Sequence, residues 1–502
     1  MQFNVGMLLT MRSRLEPEKI GLTFEGQTFT YREINESCNR WAHAFTGLKV
    51  KKGDRIGILL RNCNEFLEAY FGLVKIGAVL VPLNWRLTQP ELQYICRNSG
   101  VRSLIYGEEF SQAVEAIGSK LEIQDYVCVG AGTHRGKDLS FINQFPTSEP
   151  RIAASGDDAA LVVYTSGTTG LSKGAVMTHE NLFWGSTLIV VAFDIRSEDR
   201  VLAVMPLFHL VGLTWPGMVD VQKGCTTVLM RDFDPLKILV TIQNEKVNEF
   251  MMVPTMLHRI AQVPNFDRYL TTVRWIASGG APLSVPMIRR FTSLGIEVGQ
   301  LYGCTEGGVT VLTPKKGLEK QGSVGVPQWG QENRVVDEKG NDVTLGEVGE
   351  ILVRGPAVMK EYWNNPEATK EAIRDGWFHT GDLGRLDDDG YLYIVDRKTD
   401  MIKSGGEKIY PIEIENVLSA HPEIAEVAVI GEPDDVWGER VCAVILPKAG
   451  ETLTPEEIVD FCQGKLARYK IPKRVVLREQ PLPRNAAGKV LKRALREEHS
   501  AG

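Results

Sequence analysis

Through the first 300 residues, short apolar runs alternate with longer stretches in which apolar positions recur every three or four residues. Arg55–Leu60 has the density of a buried strand. Asn64–Ile76 predicts a helix with Phe66, Leu67, Tyr70, Leu73 and Val74 on one face. Val201–Met205, Thr226–Met230 and Val273–Ser278 read as strands. Pro235–Val247 reads as a helix between Asp234 and the apolar run Phe250–Val253, and Ser284 is placed to cap a helix running to Gly295. Strands alternating with helices in this way predict α/β layers with largely parallel sheets.

The rhythm changes after about Thr313. Asn333–Val336 and Gly349–Arg354 alternate over short spans around the turn residues Lys339-Gly340-Asn341-Asp342, which predicts a small β-rich subdomain. From about Asp400 a further unit begins, with strands at Val427–Ile430 and Cys442–Leu446 and a helix at Pro455–Leu466 capped by Thr454. Its roughly 100 residues suit one small α+β domain. The segment Asp396–Thr399 between them is charged, as a short hinge would be. The expected fold is therefore α/β. Residues 1–396 form a large N-terminal domain of two α/β-layered subdomains plus the β-rich subdomain, 397–399 a hinge, and 400–502 a small α+β C-terminal domain.

Composition narrows the classes of function. A chain of 502 residues, 43% hydrophobic and 24% charged, can bury several cores. A net charge of −6 argues against general nucleic-acid binding, while leaving room for a local phosphate pocket. The eight cysteines include no CxxC pair, so free thiols in a reducing cytoplasm are expected rather than zinc or dithiol chemistry. Met1–Leu9 is too short an apolar start for a secretory leader, with Arg12, Arg14 and Glu16 close behind. The apolar stretch Phe71–Leu83 is interrupted by Lys75 and Pro82 and falls short of the roughly 20 residues of a membrane span. The basic stretch Lys465–Arg474 suits either peripheral membrane contact or a phosphate-facing surface. Oligomeric state leaves no mark.

The strongest chemical signal is Tyr164-Thr165-Ser166-Gly167-Thr168-Thr169-Gly170-Leu171-Ser172-Lys173-Gly174, which follows the apolar strand Ala160–Val163. Glycines let successive backbone N–H groups turn toward an anion, the hydroxyls add donors, and Lys173 adds charge. This is a phosphate cradle in composition. It is not a Walker A loop, because Gly174 and Ala175 follow the lysine. A P-loop kinase or ATPase, which would release ADP, is the competing class. A non-catalytic nucleotide-binding protein is the third.

At this string the sequence resembles the adenylate-forming superfamily of acyl-CoA synthetases, adenylation domains and beetle luciferases. Further resemblances follow in the family's order. Tyr302-Gly303-Cys304-Thr305-Glu306 resembles the loop that contacts adenine and magnesium, Thr380-Gly381-Asp382 the ribose-binding turn, and Asp396-Arg397-Lys398 the hinge region. Ser404-Gly405-Gly406-Glu407-Lys408-Ile409-Tyr410-Pro411 resembles the loop lining the thiol tunnel. Pro483-Arg484-Asn485-Ala486-Ala487-Gly488-Lys489 resembles the loop with the catalytic lysine. Where relatives carry Asp or Lys at the hinge pivot, this chain has Thr399.

The resemblance implies ATP, Mg2+ and coenzyme A as cofactors and co-substrates. It assigns Mg2+ to Glu306 and Thr165, the ribose to Asp382 and Arg397, charge at the α-phosphate to Lys489, and a mobile C-terminal domain. Each assignment has a matching chemistry: a hard oxygen ligand for Mg2+, an acid for the ribose hydroxyls, and a fork of donors at Arg397. Lys403 and Lys408 read as surface charges.

Pro206-Leu207-Phe208-His209-Leu210-Val211-Gly212-Leu213 resembles the acyl-pocket segment of fatty- and aryl-CoA synthetases, with His209 between the acyl and thiol sites. Ser278-Gly279-Gly280-Ala281-Pro282 resembles the glycine turn beside the acyl group. Amino-acid-activating relatives carry an Asp in the first segment. Phe208-His209 offers no partner for a buried ammonium, so an amino acid is disfavoured. The expectation is a carboxylic acid–CoA ligase acting on a medium- or long-chain fatty acid, with an aryl acid, or a carrier-protein thiol as acceptor, as alternatives.

Overall fold

The computed structural model describes residues 4–130, 135–151, 154–165, 172–281, 283–313, 316–405, 407–484 and 490–499. The chain divides into two compact units, one of residues 1–333 with 353–379 and one of residues 334–352 with 380–502.

The first unit is built on two sheets. One has seven strands in the spatial order Glu361–Tyr362, Lys173–Thr178, Ala159–Thr165, Val79–Pro82, Arg55–Leu59, Val101–Gly107, Asp125–Val129. Its last five strands run parallel. Val79, Leu80 and Val81 are all buried, the continuous apolar run expected of a parallel strand covered on both faces. The helix Asn64–Lys75 packs Phe66, Ala69, Tyr70, Leu73 and Val74 inward. Lys75, which interrupts the apolar run, is also fully buried. Its ammonium donates to Asn35 Oδ1 (2.6 Å), Asn39 Oδ1 (2.7 Å) and Glu149 Oε2 (3.1 Å), so the charge is both paired and hydrogen-bonded.

The second sheet has nine strands in the order Val326–Pro327, Val309–Leu312, Glu297–Gly303, Trp275–Gly279, Glu249–Met252, Arg200–Ala203, Thr226–Leu229, Ile20–Phe24, Gln27–Thr30. The six strands from Glu297–Gly303 to Ile20–Phe24 run parallel. Their shared direction brings the carboxyl ends of Arg200–Ala203, Glu249–Met252, Trp275–Gly279 and Glu297–Gly303 to one edge. The crevice outside such ends is where open α/β sheets bind ligands.

The sequence reading places these elements with small differences at their ends. The helix after Ser284 is Val285–Thr292, shorter than expected, and the Ser284 side chain makes no cap bond. Its carbonyl instead accepts from the Met287 and Ile288 N–H groups.

In the second unit a long antiparallel pair, Ile424–Asp434 and Gly438–Pro447, is joined by the parallel strand Arg474–Leu477. The helices Pro411–Leu418 and Pro455–Cys462 bury Ile414, Leu418 and Ile458 in the core with Val429, Val441 and Ile445. Thr454 caps the latter helix, as expected, and does so in a reciprocal capping box with Glu457. The turn at 337–342 is held by Asp337 Oδ1, which accepts from the N–H groups of Lys339 and Asn341. Among the described residues, no helix is long and apolar enough to cross a membrane.

Candidate active site

The phosphate-loop string sits between two antiparallel strands, with Thr165 opposite Lys173 and Tyr164 opposite Gly174. Ser166, Gly167, Thr168, Thr169 and Gly170 lie outside the described residues, but their two anchors do not. The Thr165 hydroxyl donates to Glu306 Oε1 at 2.7 Å. The same oxygen accepts from the Tyr362 hydroxyl at 3.1 Å. Glu306 Oε2 takes no hydrogen bond from a described residue. The Lys173 ammonium lies 5.2 Å from the centre of the Tyr362 ring.

Tyr362 reaches this point on a two-residue strand that extends the sheet beyond Lys173–Thr178, pairing with Ala175. The Trp363 N–H donates to the Gly174 carbonyl and the Met359 N–H to the Glu306 carbonyl. Burial and then the neighbouring Glu306 charge push the Tyr362 hydroxyl well above its usual pKa, so it stays a donor. One carboxylate thus gathers two hydroxyls beside a lysine, at the mouth of a loop composed to bind phosphate.

Tyr302 and Gly303 end a strand paired antiparallel with Val309–Leu312, opposite Thr310 and Val309. The intervening turn carries Thr305 and Glu306. Tyr302 is half-buried.

Gly279 closes the strand Trp275–Gly279. A Cβ there would lie 2.9 Å from the Leu301 carbonyl oxygen and 3.3 Å from Met251 Cε, so only glycine fits without displacing the next strand. Gly280 adopts φ +82°, which turns the chain out of the sheet. Ala281 follows, exposed.

His209 begins the helix Leu210–Thr214. The segment before it is clamped by Asn62, which donates to the Met205 and Met230 carbonyls (3.1 Å each) and accepts from the Leu207 N–H (2.9 Å). The His209 ring lies 4.5 Å from that of Phe208. Burial, followed by the nearby Arg86 charge, pushes its pKa down to about 4, so the ring is neutral at pH 7.

The antiparallel strands Trp377–Leu386 and Leu392–Arg397 set Asp382 opposite Arg397. Asp382 Oδ1 lies 2.9 Å from Arg397 Nε. The Asp382 N–H donates to Thr380 Oγ1, whose hydroxyl donates to the Ile351 carbonyl. Ser404 and Gly405 lie together at a strand end, where the Gly405 N–H donates to the Trp437 carbonyl. Gly405 has φ +59°, and a Cβ on it would come within 2.7 Å of the Trp437 ring. Gly406 and Lys489 lie outside the described residues.

The sequence reading did not single out Tyr362, Asn62 or Trp437. Asn62 carried the clearest available signal, a polar residue between an apolar strand and an apolar helix.

Residues 9–363 match the model for AMP-binding enzymes, and residues 413–489 match that for the AMP-binding enzyme C-terminal domain. The chain belongs to the AMP-binding enzyme family. It is 38% identical over 508 residues to the long-chain-fatty-acid–CoA ligase FadD13 of Mycobacterium tuberculosis, covering 99% of each chain. It is 39% identical over 488 residues to a feruloyl-CoA synthase of an Amycolatopsis species, covering 97% of each. The solved structure of o-succinylbenzoate coenzyme A synthetase from Bacillus subtilis, in complex with ATP and magnesium ion, aligns with a TM-score of 0.86 at 33% identity over 99% of each chain. This AMP-binding enzyme is an acid–thiol ligase of the AMP-forming acyl-CoA synthetase type. Its mixed α/β fold, with a large N-terminal and a small C-terminal domain, is the one expected from the sequence.

Proposed function

We propose that this AMP-binding enzyme joins an apolar carboxylic acid to coenzyme A in two steps, through an acyl-AMP intermediate, and releases AMP and pyrophosphate in the cytoplasm. The observation that carries the reading is the Glu306 carboxylate held by Thr165 and Tyr362 beside Lys173. Two features fit Mg2+ at this point: the donors are hard oxygens, and Oε2 of Glu306 takes no hydrogen bond from a described residue. Glu306 and Thr165 would hold the ion, which supplies positive charge against the triphosphate.

The first step brings a carboxylate to the α-phosphate, so like charges must be neutralised as they meet. Lys173 and the loop from Thr165 hold the phosphates. The ring of Tyr302 stacks on adenine, and the Asp382–Arg397 pair receives the ribose. Lys489 supplies charge at the α-phosphate. In the second step the CoA thiol attacks the acyl-AMP carbonyl and AMP leaves with the bonding electrons. The C-terminal domain turns about Arg397–Thr399, withdraws Lys489 and presents Gly405-Gly406 to the pantetheine arm. Thr399 can serve as pivot because the motion is a backbone rotation. The surroundings of His209 and Gly279–Gly280 receive the acyl group; the charge near His209 is that of Arg86, which repels an ammonium rather than pairing it.

The test is exchange of labelled pyrophosphate into ATP, with acid present and CoA absent. Acid-dependent exchange is expected, together with its loss in Lys489→Ala. That variant should still convert supplied acyl-AMP and CoA to thioester. Exchange at the wild-type rate in Lys489→Ala would overturn the assignment of the lysine. An acid-independent exchange would overturn the adenylate.

A further inference from the structure

The acyl segment leads to a cavity at the carboxyl ends of the parallel strands. It lies behind Gly212 and is lined by Val204, Met205, Trp215, Pro216 and Met251, among others. Met251 lines the cavity and also borders the glycine turn, since a Cβ on Gly279 would lie 3.3 Å from its terminal methyl. The cavity is almost full: about 10 Å³ remains, roughly the room one water needs.

Trp215 is the aromatic residue of its lining. Trp215 is 4% exposed. Its ring centre lies 6.1 Å from those of Trp275 and Phe193, and Phe193 stacks on Trp275 at 4.8 Å. The three rings belong to one apolar cluster with Ile189, Val201 and Val311. Trp215 also opens a π-helical turn, Trp215–Val219, with Pro216 next in the chain. Such turns are rare and are frequently found at functional sites. A ring held by two other rings and a proline-bearing turn is not free to swing aside for a ligand.

We infer that Trp215 is the floor of the acyl pocket and that it limits the enzyme to compact acids, a single ring or a short chain, in place of the medium- or long-chain acid that the sequence suggested. The inference rests on the acid–CoA ligase reading above and names its substrate class. The acyl group passes Gly279–Gly280 and ends against the Trp215 face. A longer chain has to displace an indole that is packed against Phe193 and Trp275. Each methylene beyond the floor should lower kcat/KM by roughly 10-fold or more. Replacing the indole by a methyl group removes the floor while leaving Gly279, Glu306 and the phosphate loop in place.

The test is a panel of straight-chain acids from butanoic to hexadecanoic, with benzoic, cinnamic and phenylacetic acids, each read by AMP and acyl-CoA formation. It is run on the wild type, Trp215→Ala and the milder Trp215→Leu. In the wild type, one or more of the compact acids should exceed dodecanoic and hexadecanoic acids by at least about 100-fold in kcat/KM. In Trp215→Ala the optimum should move to longer chains, with Trp215→Leu intermediate. Wild-type turnover of hexadecanoic acid as fast as the best compact acid would overturn the inference while leaving the ligase reading intact. So would a folded Trp215→Leu with an unchanged chain-length profile. Failure of every acid to yield AMP would count against the ligase reading itself. If Trp215→Ala fails to fold, the wild-type profile and Trp215→Leu still decide.

Discussion

Replacing Tyr362 by Phe isolates one bond of the site. The Tyr362 hydroxyl donates to Glu306 Oε1 at 3.1 Å, while the Thr165 hydroxyl reaches the same oxygen at 2.7 Å. Hydrogen bonds to a charged group contribute about 1.5–3 kcal/mol. The Tyr362 bond is the longer of the two, so the low end applies, about 1.5–2 kcal/mol. That corresponds to a loss of roughly 10- to 30-fold in kcat/KM if the carboxylate must be held in this orientation for the adenylation step. The ring keeps its place in the core with Met359, Ala368 and Phe378, so the melting temperature should move by no more than a few degrees. The assay is pyrophosphate release at varied ATP, on Tyr362→Phe, Glu306→Gln and the double variant. If Tyr362 acts through the carboxylate, its effect shrinks to less than about 3-fold in the Glu306→Gln background, because the charge that strengthened the bond has gone. A loss below about 2-fold in the single variant, or an undiminished loss in the Glu306→Gln background, would refute the argument.

Two further outcomes concern the frame around the site. Asn62→Ala strips partners from the Met205 and Met230 carbonyls and the Leu207 N–H; denaturant unfolding should show a loss of at least about 2 kcal/mol, and KM for the acid should rise as the segment before His209 loosens. Glu249 is fully buried, with neither carboxylate oxygen hydrogen-bonded among the described residues, and burial, followed by the nearby Asp199 charge, pushes its pKa up to about 10. An acid held protonated in the fold but ionised when unfolded contributes stability that is complete below its ordinary pKa near 4.5 and fades as pH rises toward 10. Over that window its contribution should fall by up to about 1.4 kcal/mol per pH unit. Glu249→Gln should flatten the decline seen by thermal melts between pH 6 and 9, and an unchanged slope would remove Glu249 as its source.

Much of the fold and the site was legible because the informative residues are close in sequence. The phosphate-loop string announces itself within eleven residues, and the apolar run before it places the string at a strand end. The cap at Thr454 is likewise local in the chain. Tyr362 was not legible. It meets Glu306 only because a two-residue strand attaches to the edge of a sheet whose neighbouring strand lies nearly 190 residues earlier. The interruption at Lys75 was legible, but its burial was not, because its partners Asn35, Asn39 and Glu149 come from distant elements. Ser284 has the right residue type for a helix cap, yet its hydroxyl makes no cap bond, which residue type alone does not reveal. The acyl pocket shows the same limit. The apolar character of Phe208–Leu213 was readable, but the packing of Phe193, Trp215 and Trp275 joins three separate elements of the chain.

The measurement that bears most directly on acyl-adenylate chemistry is the product analysis of one incubation with ATP, Mg2+, CoA and a mixed panel of compact, fatty and aryl acids, read by mass spectrometry. AMP and an acyl-CoA, formed in equal amounts, are the expected products. ADP as the nucleotide product would contradict that chemistry, and with it the roles of Glu306, Thr165 and Lys489.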